Sequence, residues 1–473
     1  MKGLNLGRYA LSSCVATVLL AGCGGSHLPI GAPGAIPQTT ALAANNLPSA
    51  SQVAPNNVAT PHGKIHHIVI VVQEARTLNN LFAGWPHAYA PKMGFAQNIG
   101  MVPLKSITYS EDRSMCELSP CMNLAYFGGD MNGFDANRFC KLGCTHYPNG
   151  KRPDVGLLPY SYMDHSEIAP YREIARQYVL ADNMYATEFS GDFTAHQDLI
   201  AGSTFVTADR ALRDVPSSQP WGCDAPKGTR IGLWGYPYKT ISPCITQYPT
   251  MAELLDRSRL PWKYYVAALN ASDPSGKLWN AFDAVKKIRY SSDWTKNIVS
   301  PPSQILTDAK RGALPAVSWV IPELEWSDHP SQTDDKAPSW VASVVNAIGE
   351  GPEWQSTAII VVWSEWGGWF DARAPYFPKR LEGTGLGFRV PLLLISPYAK
   401  QNVVIHTDYQ YGSILRFIEE AFHLRGLSSL GYGFVFTDSR SNSLSDSFDF
   451  TQKPRTFQPI HAKYPLVFFE QTR

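Results

Sequence analysis

Ala358 to Asp371 reads AIIVVWSEWGGWFD, an apolar run of strand length that ends in Ser364-Glu365 and turns on Gly367-Gly368. Ile359, Ile360, Val361 and Val362 follow one another with no polar residue between them, which suits a strand buried on both faces, as in a parallel sheet. Acidic chemistry then sits at the strand's C-terminal end. That edge of an open α/β sheet is where ligands bind, and two glycines let the backbone turn tightly beside it. A core strand closed by a solvated turn fits these residues equally well.

Working outward, further strands are expected at His66–Val72, Val179–Met184, Trp262–Ala268, Ala316–Ile321 and Val390–Ile395. Helices are expected at Ile168–Gln177, Met251–Arg257, Trp340–Gly349 and Tyr411–Phe422, and Ser190 to Gln197 opens another. Strands that are apolar throughout and alternate with helices argue for a mostly parallel sheet covered on both faces. Polar clusters follow several strands. Gln73-Glu74-Ala75-Arg76-Thr77 leads into a helix, where Glu74 either complements the helix N-terminus or acts as a ligand. Asp192 stands where an N-cap belongs, and Ser327-Asp328-His329-Pro330 closes the strand at 316–321. Two loop-rich insertions, about 100–160 and 205–250, lack periodicity and hold six cysteines.

Lys2 and Arg8 precede an apolar Ala10–Leu20, so residues 1–22 read as a secretory signal, too short to cross a bilayer. Leu20-Ala21-Gly22-Cys23 resembles the bacterial lipobox, which implies cleavage before Cys23 and a lipid on its thiol. Residues 24–60 are Pro, Ala, Asn, Ser and Gly with hardly any large apolar side chain, a flexible tether. Residues 61–473 then form the folded part. Forty-one basic residues against 40 acidic give a net charge of +1, which leaves no nucleic-acid footprint. Cys116, Cys121, Cys140, Cys144, Cys223 and Cys244 form an even set in an exported chain, which favours disulfides over zinc. Neighbour pairing is expected among them.

Several segments together resemble the bacterial phosphoesterase family that contains acid phosphatases and phosphatidylcholine-type phospholipases C. HHIVIVVQEARTLNNLF from His66 is similar to the family's opening strand and Glu-Asn-Arg-Ser-Phe-Asp motif. SGDFTAHQDLIAGST from Ser190 is similar to its nucleophile segment. LPAVSWVIPELEWSDHP from Leu314, the stretch from Trp340 to Asp371, GFRVPLLLISPYAK from Gly387 and HTDYQYGSILRFIEEAF from His406 complete the likeness. The resemblance implies an alkaline-phosphatase-like, three-layer α/β/α sandwich that hydrolyses phosphate esters at a metal centre in the cell envelope. It also implies site positions. Glu74 keeps the acid of the first motif, but Ala75 replaces its amide. Asp192 stands at the nucleophile position, Ser364 replaces the first acid of the later pair, and Glu365 keeps the second. Ala372 replaces a histidine, the stretch 121–124 lacks another, and His329 is retained.

Two chemistries follow. Glu74, Asp192 and Glu365, with Ser364, would form an oxygen-rich site for one divalent ion, with Ser364 or Asp192 as nucleophile. Alternatively, the charge of Asp192 repels phosphate and the scaffold binds a ligand or partner without turnover. A register shift would make Ser190 or Thr194 the hydroxyl. His196 is expected to pack near the site. Trp363, Trp366 and Trp369 would form a packed wall, or else a glycan-binding surface.

Overall fold

The computed structural model describes residues 61–471 apart from 98, 142–143, 145–153, 332–333, 376–384 and 435. The expected signal at 1–22, Cys23 and the expected tether at 24–60 lie outside the described residues. Eight strands form the central sheet: β1 His67–Gln73, β2 Val179–Tyr185, β3 Trp262–Tyr265, β4 Ile298–Val299, β5 Val317–Val320, β6 Thr357–Trp363, β7 Arg389–Ile395 and β8 Val403–Ile405. They lie in the order β4-β3-β5-β1-β6-β7-β2-β8. Every neighbouring pair is parallel except the two that involve β7, which runs against β6 and β2. All seven residues of β6 are buried, as they are in β2 and β7, so the absence of polar alternation in these runs reflects cover on both faces.

Five helices matter for that cover: α1 Ala169–Gln177, α2 Asp192–Ala201, α3 Gln304–Arg311, α4 Lys336–Gly349 and α5 Tyr411–Phe422. Helix α4 packs against α1 and α3, and α5 packs against α2. The register separates the two layers. Ile70 pairs with Trp319 on one side and Ile360 on the other, so these three side chains share a face. On that face the Trp319 indole N–H donates to the Leu199 carbonyl of α2 at 3.2 Å. Trp363, an odd number of residues past Ile360, points the other way and meets Tyr171 of α1 edge-on at 5.0 Å. The result is an α/β/α sandwich. Among the described residues no helix is long and apolar enough to cross a membrane.

Local chemistry sets the element ends. Helix α4 begins at Lys336, one turn before the expected start, because Pro338 is tolerated in a first turn. Gln410 and Ser413 cap α5 reciprocally. The strand expected at 262–268 stops at Tyr265. The helix expected after β1 is only Leu78–Phe82, and Gln73 to Thr77 forms an irregular crossover before it.

The first insertion carries a hairpin, Met93–Ala96 with Gly100–Pro103, and a helix at Ser119–Tyr126. The second is more ordered than its sequence suggests. Short strands at Phe205–Thr207, Arg210–Arg213, Ile231–Leu233 and Lys239–Ile241 build a four-stranded antiparallel sheet there. Cys116 bridges to Cys121, Cys140 to Cys144 and Cys223 to Cys244, the expected neighbour pairing, which leaves none of these six as a free thiol for zinc.

Candidate active site

Parallel pairing of β5, β1 and β6 brings three strand ends side by side. Gln73 is level with Trp363, and the Ser364 amide donates to the Gln73 carbonyl at 2.8 Å, so Glu74 emerges beside Ser364. Two glycines make this approach possible. At Gly367, φ +64°, an added Cβ would lie 2.0 Å from the Ala75 carbonyl oxygen, and at Gly368, φ +84°, it would strike the Met115 side chain at 2.6 Å. Ala75 itself holds φ +60°, a left-handed conformation that costs an alanine about 1–2 kcal/mol. Its amide donates to Ser364 Oγ at 3.4 Å.

Facing this edge is the N-terminus of α2. Gly191 is the N-cap and Asp192 the first helical residue; its side chain makes no capping bond, contrary to the expectation of an N-cap. Asp192 Oδ1 instead accepts from Ser364 Oγ at 3.4 Å. One turn along, His196 Nε2 lies 3.2 Å from Glu74 Oε2. His196 is therefore part of the centre rather than mere packing, and Glu74 is an ion-pair partner rather than a helix cap. Ser190 and Thr194, the alternative hydroxyls, point elsewhere: Ser190 Oγ accepts from the Asp214 amide at 2.6 Å and Thr194 Oγ1 donates to the Gly191 carbonyl at 2.8 Å.

After β5, His329 Nδ1 donates to the Pro330 carbonyl at 2.8 Å, which fixes the tautomer and leaves Nε2 as a lone-pair donor. Glu365 Oε2 accepts from the Gly367 amide at 2.7 Å. Glu117 enters from the first insertion, and nothing in the sequence singled it out. Its nearest signal is position: it lies inside the short loop closed by the Cys116–Cys121 bridge, and the Trp366 indole donates to its carbonyl at 3.1 Å. Among the described residues, Glu117, Asp192 and His329 are the one set of three whose ligand atoms lie within 4.8 Å of one another.

Four carboxylates, of Glu74, Glu117, Asp192 and Glu365, thus crowd a space in which these acids, His196, His329 and Ser364 are each no more than 3% exposed. Burial, and then the charge of Glu74, push Asp192 up to about 7, against the relief given by His196. Burial with Asp192 and Glu74 holds Glu117 well above the usual carboxylate range, and burial with Glu117 and Asp192 does the same to Glu365. Burial opposes a charge on His196, but Glu74 overrides it and raises the imidazole. Burial, helped by the charge of Arg76 and opposed by the Pro330 hydrogen bond, brings His329 down to about 4, which favours the neutral imidazole. Asp192 Oδ2, Glu365 Oε1 and His329 Nε2 are all buried without a hydrogen-bond partner. Unrelieved carboxylate repulsion with orphaned oxygen and imidazole donors fits a hard divalent cation.

Of the four residues expected to hold metal, Asp192 alone belongs to the tight set of three. Ser364 is engaged with Asp192 and the Ala75 amide, Glu74 with His196, and Glu365 with Gly367. The other acids near the motifs serve the framework. Asp371 is paired with Arg389, both fully buried, and Asp328 accepts from Tyr109, Tyr171 and Trp363. Trp363, Trp366 and Trp369 are wholly buried, so they form a wall and offer no glycan platform.

The sequence profile of the Phosphoesterase family matches residues 65–425. The chain is 25% identical over 419 residues, 76% of its own length and 55% of the other's, to the non-hemolytic phospholipase C of Burkholderia pseudomallei (strain K96243). It is 26% identical over 238 residues, 44% of each chain, to phospholipase C B of Mycobacterium tuberculosis (strain ATCC 25618 / H37Rv). It therefore spans about half the length of the curated relatives it matches. Among solved structures, a protein of the alkaline phosphatase superfamily from Vibrio parahaemolyticus aligns over 76% of this chain and 68% of its own at 13% identity and a TM-score of 0.32.

Proposed function

We propose that this chain, which belongs to the phosphoesterase family, is an exported, lipid-anchored hydrolase of phosphoric esters, of the acid phosphatase or phospholipase C type, with a rearranged centre. The observation that carries the reading is the hydroxyl–carboxylate pair Ser364–Asp192, with Ser364 Oγ donating to Asp192 Oδ1 at 3.4 Å. The family's nucleophile position holds a carboxylate and its acid position holds a hydroxyl, so the two roles are exchanged across the same contact. Asp192 takes the Ser364 proton as Oγ attacks phosphorus; the ester P–O bond breaks, and the departing alcohol receives that proton. Asp192 then activates a water that releases phosphate from Ser364. Glu117, Asp192 and His329 would hold the cation, which supplies charge neutralisation for the carboxylates and the phosphate oxygens. Glu74 keeps His196 cationic beside the reacting group.

The depth of the centre favours a second reading, a non-catalytic binding protein, since every group in it is almost completely shielded from solvent. Turnover separates the two. Full-length protein should hydrolyse an aryl phosphate or a phosphocholine ester, with activity lost to a chelator and in Glu365→Ala. Folded protein that retains bound divalent ion and turns over neither ester would instead establish the binding reading.

A further inference from the structure

At the far edge of the sheet, beside β8 and three strands from β6, a cavity of about 710 Å³ is lined by Trp85, His87, Arg172, Arg176, Asn402 and His406, among others. At the usual strand spacing that edge is roughly 14 Å from the strand bearing Ser364. Arg172 and Arg176 are one turn apart on α1, and both guanidiniums lie over the Trp85 indole, 4.8 and 5.6 Å from the ring centroid. Stacking on an aromatic face holds an arginine flat and leaves its N–H edge free for an oxyanion.

Those edges meet no hydrogen-bond acceptor shown among the described residues. Among the described residues neither guanidinium forms an ion pair, although the chain as a whole has 41 basic and 40 acidic residues. Arg172 Nη1 is buried and has no hydrogen-bond acceptor. The carboxylate that the lining residue His406 contacts, Asp182, is already taken: Oδ1 by His406 Nδ1 at 2.9 Å and Oδ2 by the Tyr89 amide at 2.9 Å. Nearby positive groups reinforce the excess. Burial, Arg172 and Lys92 together hold His165 below the usual imidazole range, and burial and Arg176 lower Arg172. A buried guanidinium donor left without an acceptor is costly, and a tetrahedral oxyanion satisfies two such forks at once.

We propose that the Trp85–Arg172–Arg176 cavity binds a phosphate group, carried by a small phosphorylated molecule or by a lipid headgroup, at a site separate from the candidate active site. The test is titration of the full chain with inorganic phosphate in the presence of a chelator, so that the carboxylate-lined centre repels the anion. It is paired with flotation on vesicles of phosphatidylcholine, with and without phosphatidylglycerol, using a Cys23→Ser chain so that no acyl group holds the protein. Saturable binding should weaken about tenfold or more in the Arg172→Gln/Arg176→Gln double variant. Asn402→Asp, which keeps both arginines and sets a carboxylate at the cavity, should weaken binding in the same direction if the double variant fails to fold. Phosphate binding without a vesicle preference identifies a small-molecule site. Phosphatidylglycerol-dependent flotation that the variants lose identifies a headgroup site. Absence of binding to both probes, or equal binding by a folded variant, overturns the proposal.

Discussion

At the residue scale, the centre depends on a contact between two backbones. Gly367 sits so close to the Ala75 carbonyl that no side chain fits, and its φ of +64° is one that L-residues rarely adopt. Gly367→Ala is therefore expected to destabilise the fold by about 2–5 kcal/mol, the sum of overpacking and left-handed strain. Ala75→Gly should do the reverse and stabilise by about 1 kcal/mol, since Ala75 already bears that strain at φ +60°. Urea unfolding of the two variants checks both signs. The pair also explains why a turn read from sequence as permissive is in fact obligatory: the glycines do not merely bend the chain, they admit the neighbouring strand's crossover.

At the element scale, α5 is tied to the segment that follows it by two acids. Glu419 Oε1 and Asp438 Oδ2 both accept from the Leu427 amide, at 3.2 and 3.0 Å. Burial, and then Asp438, push Glu419 up to about 9 from its ordinary 4.5. A carboxyl raised in the folded state favours folding while it is protonated in both states. Its contribution is thus fully present below about 4.5 and is lost as the pH rises through about 9. Unfolding free energies measured across that window should fall less steeply with pH in Glu419→Gln than in the wild type.

Elements whose burial is uniform were legible in the sequence for a physical reason. Ile359–Val362 and Val390–Ile395 carry no polar residue, so their cover on both faces could be read directly; the direction of β7 could not, because an apolar strand looks the same run either way. Glu74, Asp192, His329, Ser364 and Glu365 were reachable because they follow strands or open a helix. Glu117 was not, since a disulfide loop in a segment without periodicity delivers it. The ion pairing of His196 was hidden because it depends on two elements 122 residues apart.

At the scale of the whole molecule, a sandwich that carries a buried acidic centre at one sheet edge region and an arginine-rich cavity by β8 would be held at a membrane surface through its N-terminus. On the proposed lipid anchor, Cys23 would govern that placement. Cys23→Ser is expected to move the protein from the detergent phase to the aqueous phase in a phase-partition assay, with the folded part unchanged; partition that ignores the substitution would remove the anchor from the account. The α/β/α sandwich is fixed by β1, β5 and β6, and the proposed exchange of roles sets Ser364, delivered by the end of β6, against Asp192, delivered by the first turn of α2.

The most direct measurement is kcat/KM for an aryl phosphate with added divalent ion, compared between the wild type and Ser364→Ala. The exchanged-role centre predicts metal-dependent turnover in the wild type and a loss of at least about a thousandfold in the variant. A Ser364→Ala protein as active as the wild type, or a folded and metal-loaded wild type without turnover, would contradict it.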